Sequence, residues 1–285
     1  MSVIQVVVLA VIQGLAELLP VSSSAHVVVA EKLMGLDPSA PALTLLLVLL
    51  HTGTMFAVIV YFWRSWLHTY CASREAFARF AVRVIIATAL TGGIGLLLAN
   101  LVTRIVFPGA AHADVEQLFS HLELIAPALF LVGVLIVISY GYERRNAPKD
   151  AEPSVAQSAV IGVVQGLALP FRGFSRSGAT ISTGMLVGVE KGAAEAFSFA
   201  LAVVLTPPVV VREALRLRKH GATFAPAELH SDILLSILGG VLAFVAGLIA
   251  LKWLSSWLER GRWIYFGVYC MIAAIVVAAL HFAGF

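Results

Sequence analysis

Long apolar runs separated by short polar stretches dominate the chain, and they set the first prediction. A helix needs about 20 apolar residues to cross the roughly 30 Å hydrocarbon core of a bilayer. Six runs are long enough to form membrane-spanning helices: 41–63, 84–102, 125–142, 193–211, 233–251 and 263–285. His51 lies in the middle of the first run, whereas Glu195 and His281 lie near the ends of theirs.

Two further apolar regions, about 3–35 and 155–191, are each interrupted near the middle by Pro, Ser and Gly. Their ionisable residues are Glu17, His26, Arg172 and Arg176, among others nearer their ends. Irregular backbone is not tolerated against lipid, so it must be buried in protein or line a cavity. We therefore predict two re-entrant helix pairs, which enter the membrane and return to the same side.

The two interrupted regions resemble each other. Residues 10–16 read AVIQGLA and residues 162–168 read GVVQGLA, and each copy is followed by Leu-Pro and a cluster of small and hydroxyl residues. Chance similarity between two apolar helices is the alternative. Three predicted spans separate the copies, so the second copy has the opposite orientation, as in inverted-topology repeats.

The predicted fold class is an all-α integral membrane protein with about six transmembrane helices plus two re-entrant helix pairs in an inverted-topology repeat. One polytopic domain covers residues 1–285, with a first repeat at about 1–142 and a second at about 155–285. Broken helices in such repeats meet near the midplane and form the binding site.

Composition excludes a water-soluble protein, because 60% of the 285 residues are hydrophobic, 12% are charged and the mean hydropathy is +0.96. Soluble domains carry roughly 25% charged residues. Two cysteines cannot build a disulfide framework or a four-cysteine zinc site. The net charge of +3 comes without a block of basic residues, so no nucleic-acid partner is expected. The expected partners are the lipid bilayer and a lipid substrate.

The loop charges predict an orientation, since cytoplasmic loops carry an excess of Lys and Arg. Loop 64–83 holds four of these residues, loop 103–124 one and loop 143–154 three, which places 64–83 and 143–154 in the cytoplasm and both termini outside. In the second half, loop 252–262 is predicted to be cytoplasmic and holds three Lys and Arg residues, in agreement with this rule. Loop 212–232 does not agree, because it holds four of these residues but is predicted to lie outside.

The first interruption carries residues suited to acid–base and nucleophilic chemistry. Gln13 and Glu17 are four residues apart and share one helix face. After Pro20 come Ser22, Ser23, Ser24 and His26, so a carboxylate, hydroxyls and an imidazole lie within ten residues. The alternative is a capped helix, with Glu17 reaching the membrane interface.

The second interruption carries residues suited to anion binding. A helix that begins near Ser177 would direct free N–H groups at an anion, and the Arg176 guanidinium matches phosphate oxygens. Alternatively, Arg176 or Arg172 anchors a helix at the lipid headgroups. His51 is either a satisfied core histidine or a more distant member of the site.

These motifs together resemble the bacterial undecaprenyl-diphosphate phosphatases, also called bacitracin-resistance proteins. The resemblance covers essentially the whole chain. It rests on Gln13-x-x-x-Glu17 leading into Pro20-Val-Ser-Ser-Ser-Ala-His26, and on GFSRSGAT at 173–180. The family pattern Pro-Gly-x-Ser-Arg-Ser-x-x-Thr is matched from Gly173 to Thr180, but Phe171 and Arg172 are inserted before the glycine, which leaves the local loop geometry open.

The resemblance implies hydrolysis of the terminal phosphate of undecaprenyl (polyprenyl) diphosphate, which recycles the lipid carrier for cell-wall synthesis and confers bacitracin resistance. It also implies a bacterial inner-membrane location, a pocket that faces the periplasm and a divalent cation, Mg²⁺ or Ca²⁺. The apolar spans would shelter the prenyl tail. The sequence leaves the oligomeric state open, a homodimer included. The alternative function is a transporter or flippase of an anionic prenyl-phosphate lipid, since carriers also use inverted repeats.

The expected catalytic residues are Glu17, Ser23, His26 and Arg176. Glu17 is a base or metal ligand, His26 an acid or base, and Ser23 a nucleophile or a hydrogen-bonding partner of phosphate. Arg176 absorbs charge in the transition state. The expected substrate-binding residues are Gln13, Ser22, Ser175, Ser177, Thr180 and Arg172. Gln13 orients Glu17 or the attacking water or, with Glu17, ligates a metal through its carbonyl oxygen.

Overall fold

The computed structural model describes residues 1–37, 40–106, 122–146, 150–171, 173–219 and 226–283. Within these ranges the chain forms ten α-helices and one isolated β-bridge, between Asp150 and Val189. The helices are α1 Val3–Leu18, α2 Ser23–Leu33, α3 Pro41–Thr69, α4 Arg74–Val106, α5 Leu122–Arg145, α6 Val155–Ala168, α7 Arg176–Leu186, α8 Lys191–Lys219, α9 Pro226–Glu259 and α10 Ile264–Phe282. The all-α prediction is confirmed for the described part of the chain.

Six of these helices, α3, α4, α5, α8, α9 and α10, contain stretches long and apolar enough to cross a membrane. They coincide with the six predicted runs, which confirms a multi-pass membrane protein. Their ends extend into polar sequence; the stretch in α3, for example, covers Pro41–Thr69. The bilayer limits the apolar length of a helix, so polar residues can continue the helix beyond the predicted run.

The two interrupted regions form two pairs of shorter helices, α1–α2 and α6–α7, which begin in the same way. Ser2 caps α1 and exchanges hydrogen bonds with Gln5, and Ser154 caps α6 and exchanges them with Gln157. This reciprocal capping box satisfies two otherwise unpaired N–H groups at a helix start. The re-entrant course of these pairs, the inverted orientation of the repeats and the two-repeat division of a single domain stay predictions.

Both copies of the repeated sequence use a glycine to approach another helix closely. A Cβ on Gly14 would lie 2.6 Å from the Cβ of Ala246 in α9. A Cβ on Gly166 would lie 2.9 Å from the Cβ of Ile94 in α4. Only a glycine permits either approach, because both distances are below normal van der Waals contact. The repeated glycine therefore docks α1 on α9 and α6 on α4.

Buried contacts with α5 and with the start of α10 position the second interruption. The indole of Trp263, 1% exposed, donates from Nε1 to Ser139 Oγ at 3.0 Å and to Ser182 Oγ at 3.3 Å, which links the start of α10 to α5 and α7. Gly173, just before α7, rests on α5: a Cβ there would lie 2.0 Å from the carbonyl oxygen of Ile125. These contacts fix the position of the loop that leads into α7.

Candidate active site

The two interruptions border one pocket with a volume of about 250 Å³. Residues of α1, α2, α3 and α7 line it, together with the turn that follows α6. Seven residues expected to bind substrate or act in catalysis are among them: Gln13, Glu17, Ser22, Ser23, Ser175, Arg176 and Ser177. The structure therefore brings together motifs that lie about 150 residues apart in the sequence.

The first interruption contains a strained residue. Ser22 has φ +66° and ψ +91°, and among the described residues it is the only non-glycine with a positive φ. Such conformations cost on the order of 1–3 kcal/mol and persist where the surroundings enforce them. This turn allows α2 to begin at Ser23, so that the start of α2 lines the pocket.

Two helix starts meet at this pocket. Ser23 and Ser24 begin α2, whose first turn has no side-chain cap, and Arg176 and Ser177 begin α7. Ser175 caps α7, since its Oγ accepts from the backbone N–H of Gly178 at 3.2 Å. The free N–H groups and dipole at a helix start favour an anion. The pocket therefore has a positive electrostatic character from backbone alone.

The Glu17 carboxylate is the centre of the polar network. Its Oε2 accepts from Gln13 Nε2 at 3.1 Å and from Ser23 Oγ at 2.5 Å. Its Oε1 accepts from Arg176 Nη2 at 3.0 Å. Ser23 thus donates its proton toward a carboxylate, which is the arrangement of a nucleophile with its base. Gln13 is 1% exposed and holds the carboxylate in place.

Arg176 uses only part of its hydrogen-bonding capacity. Nη2 is paired with Glu17, but Nη1 is buried and has no hydrogen-bond partner within the described residues. A buried donor without a partner costs about 1–3 kcal/mol, and more when it is charged. Ser177 Oγ donates to the backbone oxygen of Leu19 at 3.3 Å and so fixes the start of α7 against the first interruption. A ligand with acceptor oxygens would satisfy Nη1.

His26 differs from the expectation of a group that faces the substrate. Its Nδ1 lies 2.8 Å from the Ser22 carbonyl oxygen, and its Nε2 lies 2.6 Å from Tyr269 Oη in α10. The ring also stacks on Tyr269 and is not part of the pocket lining. A carbonyl only accepts, so Nδ1 carries a proton, and Nε2 shares the second hydrogen bond with the Tyr269 hydroxyl. The direct catalytic role of His26 stays a prediction from sequence.

Thr180 also differs from its expected place. It is fully buried, and its Oγ1 lies 2.8 Å from the Arg176 carbonyl oxygen and 2.6 Å from Ser198 Oγ in α8. It therefore holds the first turn of α7 against α8, behind the pocket, rather than facing a substrate. Arg172, also expected to bind substrate, lies outside the described residues. Its neighbour Phe171 lines the pocket, so the insertion brings an aromatic ring to it.

Two further ionisable residues line the pocket. The sequence analysis did not identify Glu31, and it left His51 open between a core residue and a more distant member of the site. Glu31 is 4% exposed. It could have been found from helix periodicity, because Ser24, Val27 and Glu31 recur at the i, i+3, i+7 spacing of one helix face. An ionisable residue in the middle of an apolar run indicates a functional role. His51 has such a position, and it lines the pocket.

The side chains around the pocket offer few ligands for the predicted metal ion. Within the described residues, no group of three or more His, Cys, Asp and Glu side chains is arranged to hold a metal ion. Glu17 is also paired with a guanidinium. The carboxylate of Glu17 and the amide oxygen of Gln13 fit a hard cation that takes its remaining ligands from water and substrate phosphates, as Mg²⁺ commonly does.

Comparison with known proteins gives a consistent result. The sequence profile described as "Bacitracin resistance protein BacA" matches residues 6–276. Undecaprenyl-diphosphatase 2 of Acinetobacter baylyi is 55% identical over 283 residues, 98% of each chain. Undecaprenyl-diphosphatase of Desulfatibacillum aliphaticivorans is 31% identical over 98% of this chain and 99% of its own. The protein of the same name from Fusobacterium nucleatum is 30% identical over 96% and 99%.

Proposed function

The chain belongs to the bacitracin resistance protein BacA family, and on that basis we propose that it hydrolyses undecaprenyl diphosphate to the monophosphate and inorganic phosphate. The reaction regenerates the lipid carrier for cell-wall synthesis and opposes bacitracin. The protein acts in the bacterial inner membrane, with its pocket open to the periplasm. The apolar sides of the spanning helices shelter the prenyl tail.

One observation carries the proposal: a carboxylate, a serine hydroxyl and a guanidinium with a free donor converge at two helix starts. Arg176 Nη1 and the N–H groups of α2 and α7 suit the oxygens of a diphosphate. The same donors stabilise the additional negative charge that develops during phosphoryl transfer. A pure phosphate carrier needs such donors but has no need of Glu17 as a base beside Ser23.

In the proposed reaction Ser23 Oγ attacks the terminal phosphorus while its proton passes to Glu17. The bond between the terminal phosphorus and the bridging oxygen breaks, and undecaprenyl phosphate leaves. Glu17 then loses this proton to solvent. A water molecule attacks the phosphorus of phosphoserine and gives a proton to Glu17. The bond between Ser23 Oγ and phosphorus breaks, inorganic phosphate leaves, and Glu17 returns the proton to Ser23 Oγ. If water attacks directly, Ser23 instead holds a phosphate oxygen, and Ser23→Ala keeps partial activity rather than losing almost all of it.

A divalent cation is a further part of the proposal. Mg²⁺ or Ca²⁺ would be held by Glu17 and the Gln13 amide oxygen together with phosphate oxygens, and when bound it would neutralise negative charge on the diphosphate. The roles of Gln13, Ser175 and Ser177 do not depend on this cation. Gln13 orients Glu17, and Ser175 and Ser177 keep the start of α7, with Arg176, directed at the phosphate.

Phosphate release from undecaprenyl diphosphate by the purified protein in detergent tests the proposal. Hydrolysis needs no second compartment, whereas transport does. Arg176→Ala should lose about a hundredfold or more in turnover, and Arg79→Ala, a matched variant of an exposed arginine, should not change it. Lipid movement across vesicles without phosphate release in detergent would overturn hydrolysis and favour the transporter.

A further inference from the structure

We propose that His51 is a further phosphate-binding residue of this pocket; the proposal rests on the proposed function of the site. His51 lies near the middle of α3, a helix that carries neither interruption, and it lines the pocket beside Glu17 and Arg176. The Leu47 backbone, one turn earlier on α3, supplies the only hydrogen-bond partner of the His51 side chain within the described residues.

The single hydrogen bond of the His51 ring determines which ring nitrogen can bind a ligand. Nδ1 lies 2.8 Å from the carbonyl oxygen of Leu47, and because a carbonyl only accepts, Nδ1 carries a proton. Nε2 is then the only polar atom of the ring without a partner in the described residues. His26 has both ring nitrogens engaged, with Ser22 and Tyr269. Of the two histidines, His51 is the one with a nitrogen to offer a substrate.

The charges around His51 favour its interaction with a phosphate. Among the described residues, three charged or titratable side chains line the pocket from the neighbouring elements: Glu17 from α1, Glu31 from α2 and Arg176 from α7. Glu17 lies within electrostatic range of the imidazole. A bound diphosphate adds its negative charge beside the Glu17 carboxylate, so a further hydrogen-bonding group on the α3 side of the pocket would help to hold it. With a proton on each nitrogen, the His51 ring would donate from Nε2 to a phosphate oxygen.

The neutral ring would also serve, because Nε2 would accept a hydrogen bond from a protonated phosphate oxygen. In both states His51 holds the phosphate from the α3 side of the pocket. An apolar residue at this position would leave that side of the phosphate without a partner. A hydrogen bond to a charged group corresponds to roughly ten- to hundredfold in binding.

The variants His51→Leu and His51→Gln separate binding from structure, with His68→Gln as a matched control on the same helix, where His68 is exposed. The measurements are the steady-state constants for undecaprenyl diphosphate, inhibition by inorganic diphosphate, and the melting temperature in detergent. We expect His51→Leu to lower kcat/KM and to weaken diphosphate inhibition about ten- to hundredfold. His51→Gln keeps a polar group and should stay within a few-fold of the wild type, as should His68→Gln.

A folded His51→Leu variant with wild-type kcat/KM and wild-type diphosphate inhibition would overturn the proposal. Equal losses in the leucine and glutamine variants, tracking a fall in melting temperature, would also overturn it in favour of a purely structural histidine. If the leucine variant does not fold, His51→Phe, which fills the volume of the ring, replaces it. If wild type releases no phosphate, the proposed function fails, while binding of inorganic diphosphate still decides the role of His51.

Discussion

Glu17→Gln is the substitution for which the structure makes the sharpest prediction. The change keeps the size of the side chain but removes its charge and its ability to take a proton from Ser23. A positioned general base contributes about 10²–10⁴-fold in rate. We therefore expect kcat to fall by at least a hundredfold.

The affinity of Glu17→Gln for diphosphate should rise, although its turnover falls. In the wild type the Glu17 carboxylate occupies Arg176 Nη2 and repels an incoming diphosphate. Two unit charges about 4 Å apart interact by about 4 kcal/mol at an effective dielectric constant of 20. The Arg176 and Glu17 side chains are 20% and 18% exposed, so solvent reduces this value. An increase of about tenfold in affinity for inorganic diphosphate, or ~1.4 kcal/mol, is the expected result.

Calorimetric titration of Glu17→Gln with inorganic diphosphate, in detergent and without divalent cations, measures this affinity. The melting temperature of the same sample shows whether the unpaired Arg176 charge destabilises the fold. Breaking a fully buried pair costs about 3–5 kcal/mol, and this partly exposed pair should cost less. A variant that binds diphosphate tenfold more weakly, or that keeps kcat within tenfold of the wild type, would refute the reasoning.

Three further predictions concern orientation, the cation and His26. Cys71 is exposed in the turn between α3 and α4, which is predicted to be cytoplasmic, and Cys270 is buried. A membrane-impermeant maleimide should therefore label Cys71 only after cells are permeabilised. Labelling of Cys71 in intact cells would mean that the orientation is the reverse. EDTA should lower turnover and added Mg²⁺ or Ca²⁺ should restore it without a change in melting temperature, whereas full turnover in EDTA would remove the cation from the proposal. Tyr269→Phe deletes the hydrogen bond to His26 Nε2 and should lower kcat about two- to tenfold at unchanged KM; an unaltered kcat would mean that this contact does not position His26.

The spans and the interruptions were predictable because the signals are local. Length and apolarity identify a membrane helix within its own sequence, and Pro20 with the following serines marks an interruption in the same way. The meeting of Glu17 with Arg176, 159 positions later, was expected from the repeat, and the structure places the two side chains 3.0 Å apart.

The parts of the site that sequence did not predict depend on contacts between distant elements. His26 and Tyr269 are 243 positions apart, and no local pattern in the sequence predicts that the imidazole bonds the tyrosine and is not among the residues that line the pocket. Thr180 matches a motif, but its contact with Ser198 on the next helix places it behind the site. His51 is on a helix without either motif, so only packing shows which way it faces.

The central claim is that the two interruptions form one phosphatase site, and a double-mutant cycle tests it most directly. Phosphate release from undecaprenyl diphosphate is measured for the wild type, Glu17→Gln, Arg176→Met and the double variant, all folded in the same detergent. Residues that act as a unit are strongly non-additive. The account predicts that the double variant is about as slow as the slower single variant. A loss equal to the product of the two single losses would contradict a shared site.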